Sequence, residues 1–188
     1  MYSDSWIVTE DGRRLPNEIY LLNRIQHPFI VNMIEFYEND SYFQLVMEKH
    51  GFGMDLFEFI EKTNGVPEPL AANISKQLVD AVDYLHSNGI LHRDIKDENV
   101  VLDDRFHAKL IDFGSATYIS DKPFKAFCGT FEYCSPEVLR GNLFFKQILS
   151  NIILSLLLLI CFYRKSIPWA RVGGLGNRCN NLRSGFWP

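Results

Sequence analysis

Two short segments of this chain concentrate side chains that can bind metal ions and phosphate. Residues 92–99 read His-Arg-Asp-Ile-Lys-Asp-Glu-Asn, and residues 112–114 read Asp-Phe-Gly. Carboxylate and amide oxygens are hard ligands that suit Mg²⁺, and a cation can neutralise the charge that develops on a phosphoryl group. Because phosphoryl transfer depends on placing several such groups at one point, we predict that the fold brings the two segments together.

The two segments resemble the catalytic loop and the metal-binding turn of protein kinases. Asp94 and Asn99 lie five positions apart, as in that family. The resemblance is to the serine/threonine kinases, and residues 43–51, 111–116 and 127–130 resemble the PAS domain-containing branch. It implies a bilobal α+β fold of the protein kinase type, truncated to the end of the N-lobe and the first part of the C-lobe.

The resemblance also implies a role for each polar side chain of the two segments. Asp94 would accept the proton of a substrate hydroxyl, and Lys96 would lie nearest the transferred phosphoryl group. Asn99 and Asp112 would hold Mg²⁺, and Thr130 would contact both Asp94 and Lys96. The implied activity is ATP-dependent phosphorylation of serine or threonine in proteins, with ATP and Mg²⁺ as cofactors and no nucleic acid as a partner.

Four further residues would form the adenine side of the site, again by resemblance. Met47 would be the gatekeeper, and Val101 would form the floor beneath the adenine. Glu48 and His50 would offer backbone groups to it. An ordinary connection between a strand and a helix is the alternative interpretation of this segment.

Glu98 either recognises basic residues of a substrate or is a solvated loop charge.

Glu18 matches the glutamate of the kinase αC helix, which normally pairs with a lysine on the third strand; as an alternative it only interacts with its helix dipole. The partner lysine is missing, since the first lysine is Lys49, and Gly12 is the only glycine before Gly51, so a glycine-rich phosphate loop is missing too. The aspartate-bearing helix of the later C-lobe has no counterpart after Asp121. We therefore expect impaired activity; the alternative function is an inactive kinase-like module that binds nucleotide or a partner.

Residues 115–134 resemble an activation segment, which would close at residues 135–137. The usual phosphorylation position of such segments lies four residues before Thr130, where this chain has Ala126. We therefore predict that the segment is ordered without a phosphate at that position.

The pattern of apolar residues predicts the elements that must position these segments. Helices are expected from residue 17 to His27, over 55–62, and around a long apolar stripe. The stripe consists of Ile74, Leu78, Ala81, Val82 and Leu85. Strands are expected at 30–34, 43–47, 100–102 and 107–111. The last two strands would form a hairpin that delivers the two polar segments side by side.

The charge distribution changes abruptly at Glu137. All 23 acidic residues lie at or before it, whereas seven of the 19 basic residues follow it. The four cysteines show no metal-ligand spacing, and residues 1–16 contain no apolar signal sequence. Both features favour a cytoplasmic location.

We predict three segments: residues 1–14 outside the family, 15–141 as a partial kinase domain, and 142–188 as a tail outside the family. No residue from 147 to 163 is charged, and about 17 such residues are at the lower limit for a membrane span. One interpretation is a membrane anchor. We favour a tail that arises from alternative splicing or a misjudged exon boundary, because the basic residues after the apolar segment would otherwise place the kinase part away from ATP.

Overall fold

The computed structural model of this chain describes residues 6–51, 53–63, 66–119 and 129–130. The predicted tail with its apolar segment 147–163 lies outside the described residues, as does most of the predicted activation segment. No helix within the described ranges is long and apolar enough to cross a membrane. Membrane attachment through residues 147–163 stays the alternative interpretation of the tail, which the described residues do not test.

The N-terminal part consists of two antiparallel hairpins with one short helix between them. The first hairpin pairs β1 (Trp6–Val8) with β2 (Arg14–Pro16), and the second pairs β3 (Met33–Glu38) with β4 (Phe43–Met47). Helix α1 (Asn17–Leu22) follows β2 directly. The hairpin before α1 was not predicted from the sequence, because strands of three residues are too short to give a recognisable periodicity.

Helix α1 is shorter than its sequence pattern predicts. It ends before His27, and the N–H of Arg24 bonds to the carbonyl of Leu21, only three residues back, at 2.9 Å. Pro28 also disfavours helical backbone at the residue that precedes it. Ile25 is nevertheless buried, so the predicted apolar face still contributes to the core.

Strand β3 begins at Met33, later than the predicted start at residue 30, because the residues before it pair elsewhere. The N–H of Val31 donates to the carbonyl of Leu110 at 3.0 Å, and the N–H of Leu110 donates to the carbonyl of Phe29 at 2.9 Å. These two bonds attach the chain just ahead of β3 to the C-terminal part of the structure.

Two helices follow the second hairpin, as predicted. They are α2 (Leu56–Thr63) and the 20-residue α3 (Glu68–Ser87). All five residues of the predicted apolar stripe are buried on α3, as expected for a helix that presents one face to a core. Gly89 lies just beyond the helix at φ 70°, a left-handed conformation that glycine adopts without strain.

Five short strands build the C-terminal part. They are β5 (Met54–Asp55) before α2 and, after α3, β6 (Ile90–Leu91), β7 (Val100–Leu102), β8 (Ala108–Leu110) and β9 (Thr117–Tyr118). Strands β5, β7 and β8 form one antiparallel sheet, and β6 pairs with β9. Within the described residues, one hydrophobic core joins the helices α1, α2 and α3 with the strands β6, β7 and β8. The predicted hairpin of β7 and β8 is confirmed.

Candidate active site

The β7–β8 hairpin brings the two polar segments together. Strand β6 leads into residues 92–99, which end in a 3-10 helix (Asp97–Asn99) just before β7, and β8 leads into residues 112–114. Because β7 and β8 are antiparallel, the start of one and the end of the other lie at the same edge of the sheet. The N–H of Ile111 donates to the carbonyl of Asn99 at 3.0 Å and closes this junction.

His92 and Phe113 form the buried base of the site. Their rings meet edge to face with centroids 4.8 Å apart, and both side chains are almost completely inaccessible to solvent. Nε2 of His92 lies 3.0 Å from the carbonyl oxygen of Ile111, which can only accept, so Nε2 carries the proton and Nδ1 accepts from the N–H of Asp94 at 3.4 Å. Burial lowers the pKa of His92 to about 4, so the ring is neutral and serves as a fixed support.

Asp94 lies at the centre of a cluster with Thr130 and Lys96. The Thr130 hydroxyl donates to Oδ1 of Asp94 at 2.7 Å, and Nζ of Lys96 lies 3.7 Å from the other carboxylate oxygen and 3.3 Å from the Thr130 hydroxyl. Burial alone would lower the pKa of Lys96, but the charges of Asp94 and Glu98 outweigh that effect and raise it. The cluster therefore holds a carboxylate and a permanent cation within reach of one hydroxyl.

Asn99 and Asp112 provide oxygen atoms of the kind that Mg²⁺ prefers. The side-chain nitrogen of Asn99 donates to the backbone carbonyl of Asp94 at 2.8 Å and to its carboxylate at 3.2 Å, which leaves the amide oxygen as the available ligand. Oδ1 of the exposed Asp112 accepts from the N–H of Gly114 at 3.1 Å. Among the described residues, no group of three His, Cys, Asp or Glu side chains could hold a metal ion, but Mg²⁺ normally completes its shell with phosphate oxygens and water. These two residues fit that pattern.

Both polar segments contain a residue in a left-handed backbone conformation. Arg93 has φ 68° and Asp112 has φ 62°, and such residues cost about 1 to 3 kcal/mol each unless their surroundings fix them. Nε of Arg93 donates to the carbonyl of Ser115 at 2.6 Å. Gly129 approaches Arg93 so closely, at φ 113°, that a Cβ atom there would overlap the Arg93 carbonyl oxygen. The close approach of Gly129 to Arg93 places the next residue, Thr130, beside Asp94.

Glu18, on α1, lies beside the second polar segment. Its carboxylate accepts a hydrogen bond from the backbone of Phe113 and is near the charge of Asp112. Burial first, and the Asp112 charge second, raise the pKa of Glu18, and the Phe113 hydrogen bond only partly offsets them. No lysine precedes Glu18 in the sequence. Among the described residues, the charge that acts on its half-buried carboxylate is that of another acid, Asp112.

The four predicted adenine-side residues lie at the end of β4, on the connection that follows it, and in β7. Met47 ends β4 with 40% of its surface exposed, and Val101 is half-buried in β7. In the part of the chain that the structure describes, neither the backbone carbonyl of Glu48 nor the N–H of His50 takes part in a hydrogen bond. The side chain of His50 is turned away, with Nε2 2.9 Å from the carbonyl of His107. These backbone groups are available to a ligand.

Two residues that the sequence analysis missed, Asn32 and Lys109, surround the Glu48 carboxylate. Asn32 donates from its backbone and from its side chain, and Lys109 forms a close ion pair with the same oxygen. Burial alone would raise the pKa of Glu48, but these hydrogen bonds lower it. The one signal in the sequence was a lysine in the middle of a short, otherwise apolar strand.

Most of the chain is similar to known protein kinases. The model described as "Protein kinase domain" matches residues 3–161. Over 140 residues, 74% of this chain and 10% of the relative, the chain is 55% identical to the "PAS domain-containing serine/threonine-protein kinase" of Mus musculus. It is 42% identical over 144 residues to "Serine/threonine-protein kinase PSK1" of Saccharomyces cerevisiae, covering 74% of this chain and 11% of that protein.

A third relative, "Serine/threonine-protein kinase ppk6" of Schizosaccharomyces pombe, is 39% identical over 166 residues, which are 87% of this chain and 21% of that protein. The chain thus spans between about a tenth and a fifth of the length of these curated relatives. The matches confirm the predicted resemblance and the predicted partial α+β fold.

Proposed function

Because the chain belongs to the protein kinase family, we propose that the cluster around Asp94 serves ATP-dependent phosphorylation of serine or threonine in proteins. The observation that carries this proposal is the hydrogen bond of the Thr130 hydroxyl to Asp94, with Lys96 3.7 Å from the same carboxylate. A substrate hydroxyl needs the same two neighbours, a proton acceptor and a nearby cation. We infer that Thr130 holds Asp94 in orientation next to the substrate.

Each residue of the cluster has one task in this proposal. Asp94 accepts the proton that the substrate hydroxyl loses when its oxygen bonds to phosphorus. Lys96 stabilises the negative charge on the phosphoryl oxygens. The neutral ring of His92 holds the backbone of Asp94 in place, through the 3.4 Å bond from the Asp94 N–H. None of these residues has to move for the reaction, which is the condition for electrostatic preorganisation.

The donor set fits Mg²⁺ and ATP. Asn99 and Asp112 would hold the metal ion, since both present an oxygen at the edge of the sheet where the polar segments meet. When bound, Mg-ATP supplies the phosphoryl group and the positive charge that neutralises the phosphates. The backbone carbonyl of Glu48 and the N–H of His50 would bind the adenine, with Val101 below it and Met47 behind it.

We propose that transfer by this chain is slow. Glu18 has no preceding lysine to pair with, and no glycine-rich loop precedes it in the sequence. Loss of a single preorganised donor lowers an enzyme's rate by about 10²- to 10³-fold. The raised pKa of Glu18 supports this proposal, because burial and the Asp112 charge disfavour its carboxylate and no cation among the described residues lowers that pKa.

A catalytically inactive kinase-like module is the second candidate. It is favoured by the same environment of Glu18, since binding of a nucleotide at the Glu48 and His50 backbone would not need the missing lysine. In that case the site would bind Mg-nucleotide or a partner protein and would transfer no phosphate.

Phosphoryl transfer from radiolabelled ATP to a mixture of serine- and threonine-containing peptides tests the proposal, with Asp94→Asn as the matched variant. We expect slow, Mg²⁺-dependent labelling that disappears in Asp94→Asn, because the amide cannot accept the proton. Labelling that persists in the variant contradicts the role of Asp94. Fast labelling by the unchanged chain contradicts the proposed impairment, and Mg²⁺-dependent ADP binding without any labelling supports the second candidate.

A further inference from the structure

One oxygen of Glu48 is the meeting point of three donors. Oε1 accepts from the backbone N–H of Asn32 at 2.8 Å and from the Asn32 side-chain nitrogen at 3.1 Å, and it forms the ion pair with Nζ of Lys109. Only 13% of the Lys109 side chain and 30% of the Glu48 side chain are exposed. Water therefore screens this ion pair much less than the exposed pairs on the helices.

The residues that meet at this oxygen, Asn32, Glu48 and Lys109, lie on three separate segments. Asn32 immediately precedes β3, Glu48 immediately follows β4, and Lys109 is in β8, three residues ahead of Asp112. Two hydrogen bonds to backbone carbonyls reinforce the arrangement. The N–H of Glu48 donates to the carbonyl of Asn32 at 3.0 Å, and the side-chain Nζ of Lys109 donates to the carbonyl of Ile30 at 3.5 Å. Lys109 thus ties the strand that carries the Asp112 turn to the connection that follows β4.

The far end of that connection is also fixed. His50 contacts the carbonyl of His107, and Gly51, at φ 57°, lies so close to β7 that a Cβ atom would overlap the Leu102 carbonyl oxygen. With both ends held, the backbone carbonyl of Glu48 and the N–H of His50 keep a defined position. Binding groups that are fixed before the ligand arrives bind it more tightly, because less conformational freedom is lost.

We propose that Lys109, together with Asn32, is a positioning residue for nucleotide binding: by holding the Glu48 carboxylate it fixes the backbone groups of residues 48–50 that contact the adenine. This inference rests on the proposed function, and it adds residues that contact neither the nucleotide nor the substrate. Removing the amine leaves a partly buried carboxylate without its cation, so the connection loses its anchor at the β8 side.

The test compares Lys109→Met and Lys109→Arg with Lys76→Met in the full chain. Lys76 is a matched control, since it pairs with Asp80 on the exposed surface of α3. Two quantities are measured: the Kd for Mg-ADP, and hydrogen exchange of the backbone amides of residues 48–51 without nucleotide. Asn32→Ala serves as a second variant that keeps the ion pair, in case Lys109→Met does not fold.

We expect Lys109→Met to weaken Mg-ADP binding about ten-fold and to accelerate exchange at residues 48–51, because a small misplacement of binding groups has effects of at least this size. Lys109→Arg should restore most of the Mg-ADP affinity and most of the protection from exchange. Asn32→Ala should change the affinity and the exchange in the same direction as Lys109→Met. Lys76→Met should change neither. Unaltered exchange in Lys109→Met and Asn32→Ala would overturn the proposed positioning role of Lys109 and Asn32. A wild-type chain that binds no Mg-ADP would overturn the proposed function instead, so the two failures are distinguishable.

Discussion

The hydroxyl of Thr130 donates a 2.7 Å hydrogen bond to Oδ1 of Asp94, although 36 positions separate the two residues. Gly129 makes this contact possible, since its backbone lies against the carbonyl of Arg93, immediately before Asp94. The contact therefore needs three features at one place: a residue without a side chain at position 129, the hydroxyl of Thr130 and the carboxylate of Asp94. The contact fixes the orientation of the carboxylate that we assign to proton acceptance.

Gly129→Ala should separate Thr130 from Asp94. The new Cβ would overlap the Arg93 carbonyl and would also be strained at φ 113°. Gly53→Ala is the matched control, because Gly53 has φ 79° but open space around its Cβ position, so only the backbone strain of about 1 to 2 kcal/mol applies there. Urea unfolding should show a larger loss of stability for Gly129→Ala than for Gly53→Ala; equal losses would mean that the close approach does not matter.

Lys96→Met should reduce phosphoryl transfer without changing nucleotide affinity. The amine lies at Asp94 and Thr130, away from the predicted adenine contacts, so its loss affects the transition state more than the bound nucleotide. We expect a decrease in kcat of about 10²-fold and an unaltered Kd for Mg-ADP. Lys62→Met, which breaks an exposed ion pair with Glu58, controls for loss of a positive charge. A weaker Mg-ADP affinity with an unchanged kcat would contradict the assignment of Lys96.

His92 should make the protein less stable in acid. Its folded-state pKa of about 4 lies below the ordinary value of 6.5, so the unfolded chain takes up a proton first. The contribution of His92 to the free energy of unfolding is therefore fully present above pH 6.5 and is lost as the pH falls towards 4. By linkage, the loss amounts to about 3 kcal/mol. The free energy of unfolding, measured at pH 7 and pH 4.5, should fall more steeply for the unchanged chain than for His92→Gln. His107→Gln, at a mostly exposed side chain, should keep the steep dependence, and equal slopes for all three proteins would argue against a buried neutral His92.

Glu18→Gln should stabilise the chain at neutral pH. The pKa of Glu18 is raised above its ordinary value of 4.5, so stability falls as the pH rises from that value through the folded-state pKa, and the neutral amide avoids this loss. The backbone hydrogen bond from Phe113 can still be accepted by the amide oxygen. Thermal unfolding at pH 7 should show a higher Tm for Glu18→Gln than for the control Glu61→Gln, which replaces an exposed acid on α2. A lower Tm for Glu18→Gln would indicate that Glu18 has a cationic partner.

The start of the predicted activation segment should be ordered without phosphorylation. Asn17 donates to the carbonyl of Ala116, Arg93 donates to the carbonyl of Ser115, and the N–H of Ile119 donates to the carbonyl of Gly89 at 2.7 Å. None of these bonds needs a phosphate. Amide exchange at residues 115–119 should therefore be slow in unmodified protein and faster in Arg93→Gln. Protection that is gained only after phosphorylation of Thr117, Tyr118 or Ser120 would contradict this prediction.

The sequence predicted the long helix α3 well and α1 poorly, for a physical reason. The stripe on α3 repeats over three turns, so the periodicity alone fixed which face is buried. In α1, an apolar pattern extending to His27 was compatible with a longer helix, but the chain after Leu22 turns so that residues 29–31 can pair with Leu110. That pairing joins distant parts of the chain, and a local pattern does not contain it.

The sequence by itself determined which polar side chains the candidate site contains, because residues 92–99 and 112–114 combine carboxylates, an amide and a lysine at the spacing of the family. The tertiary structure decided how they are held. The proton on Nε2 of His92 follows from the Ile111 carbonyl beside it, and the ion pair of Glu48 with Lys109 joins residues 61 positions apart. Such contacts depend on which strands become neighbours, and that is settled by packing around the common core rather than by any local run of residues.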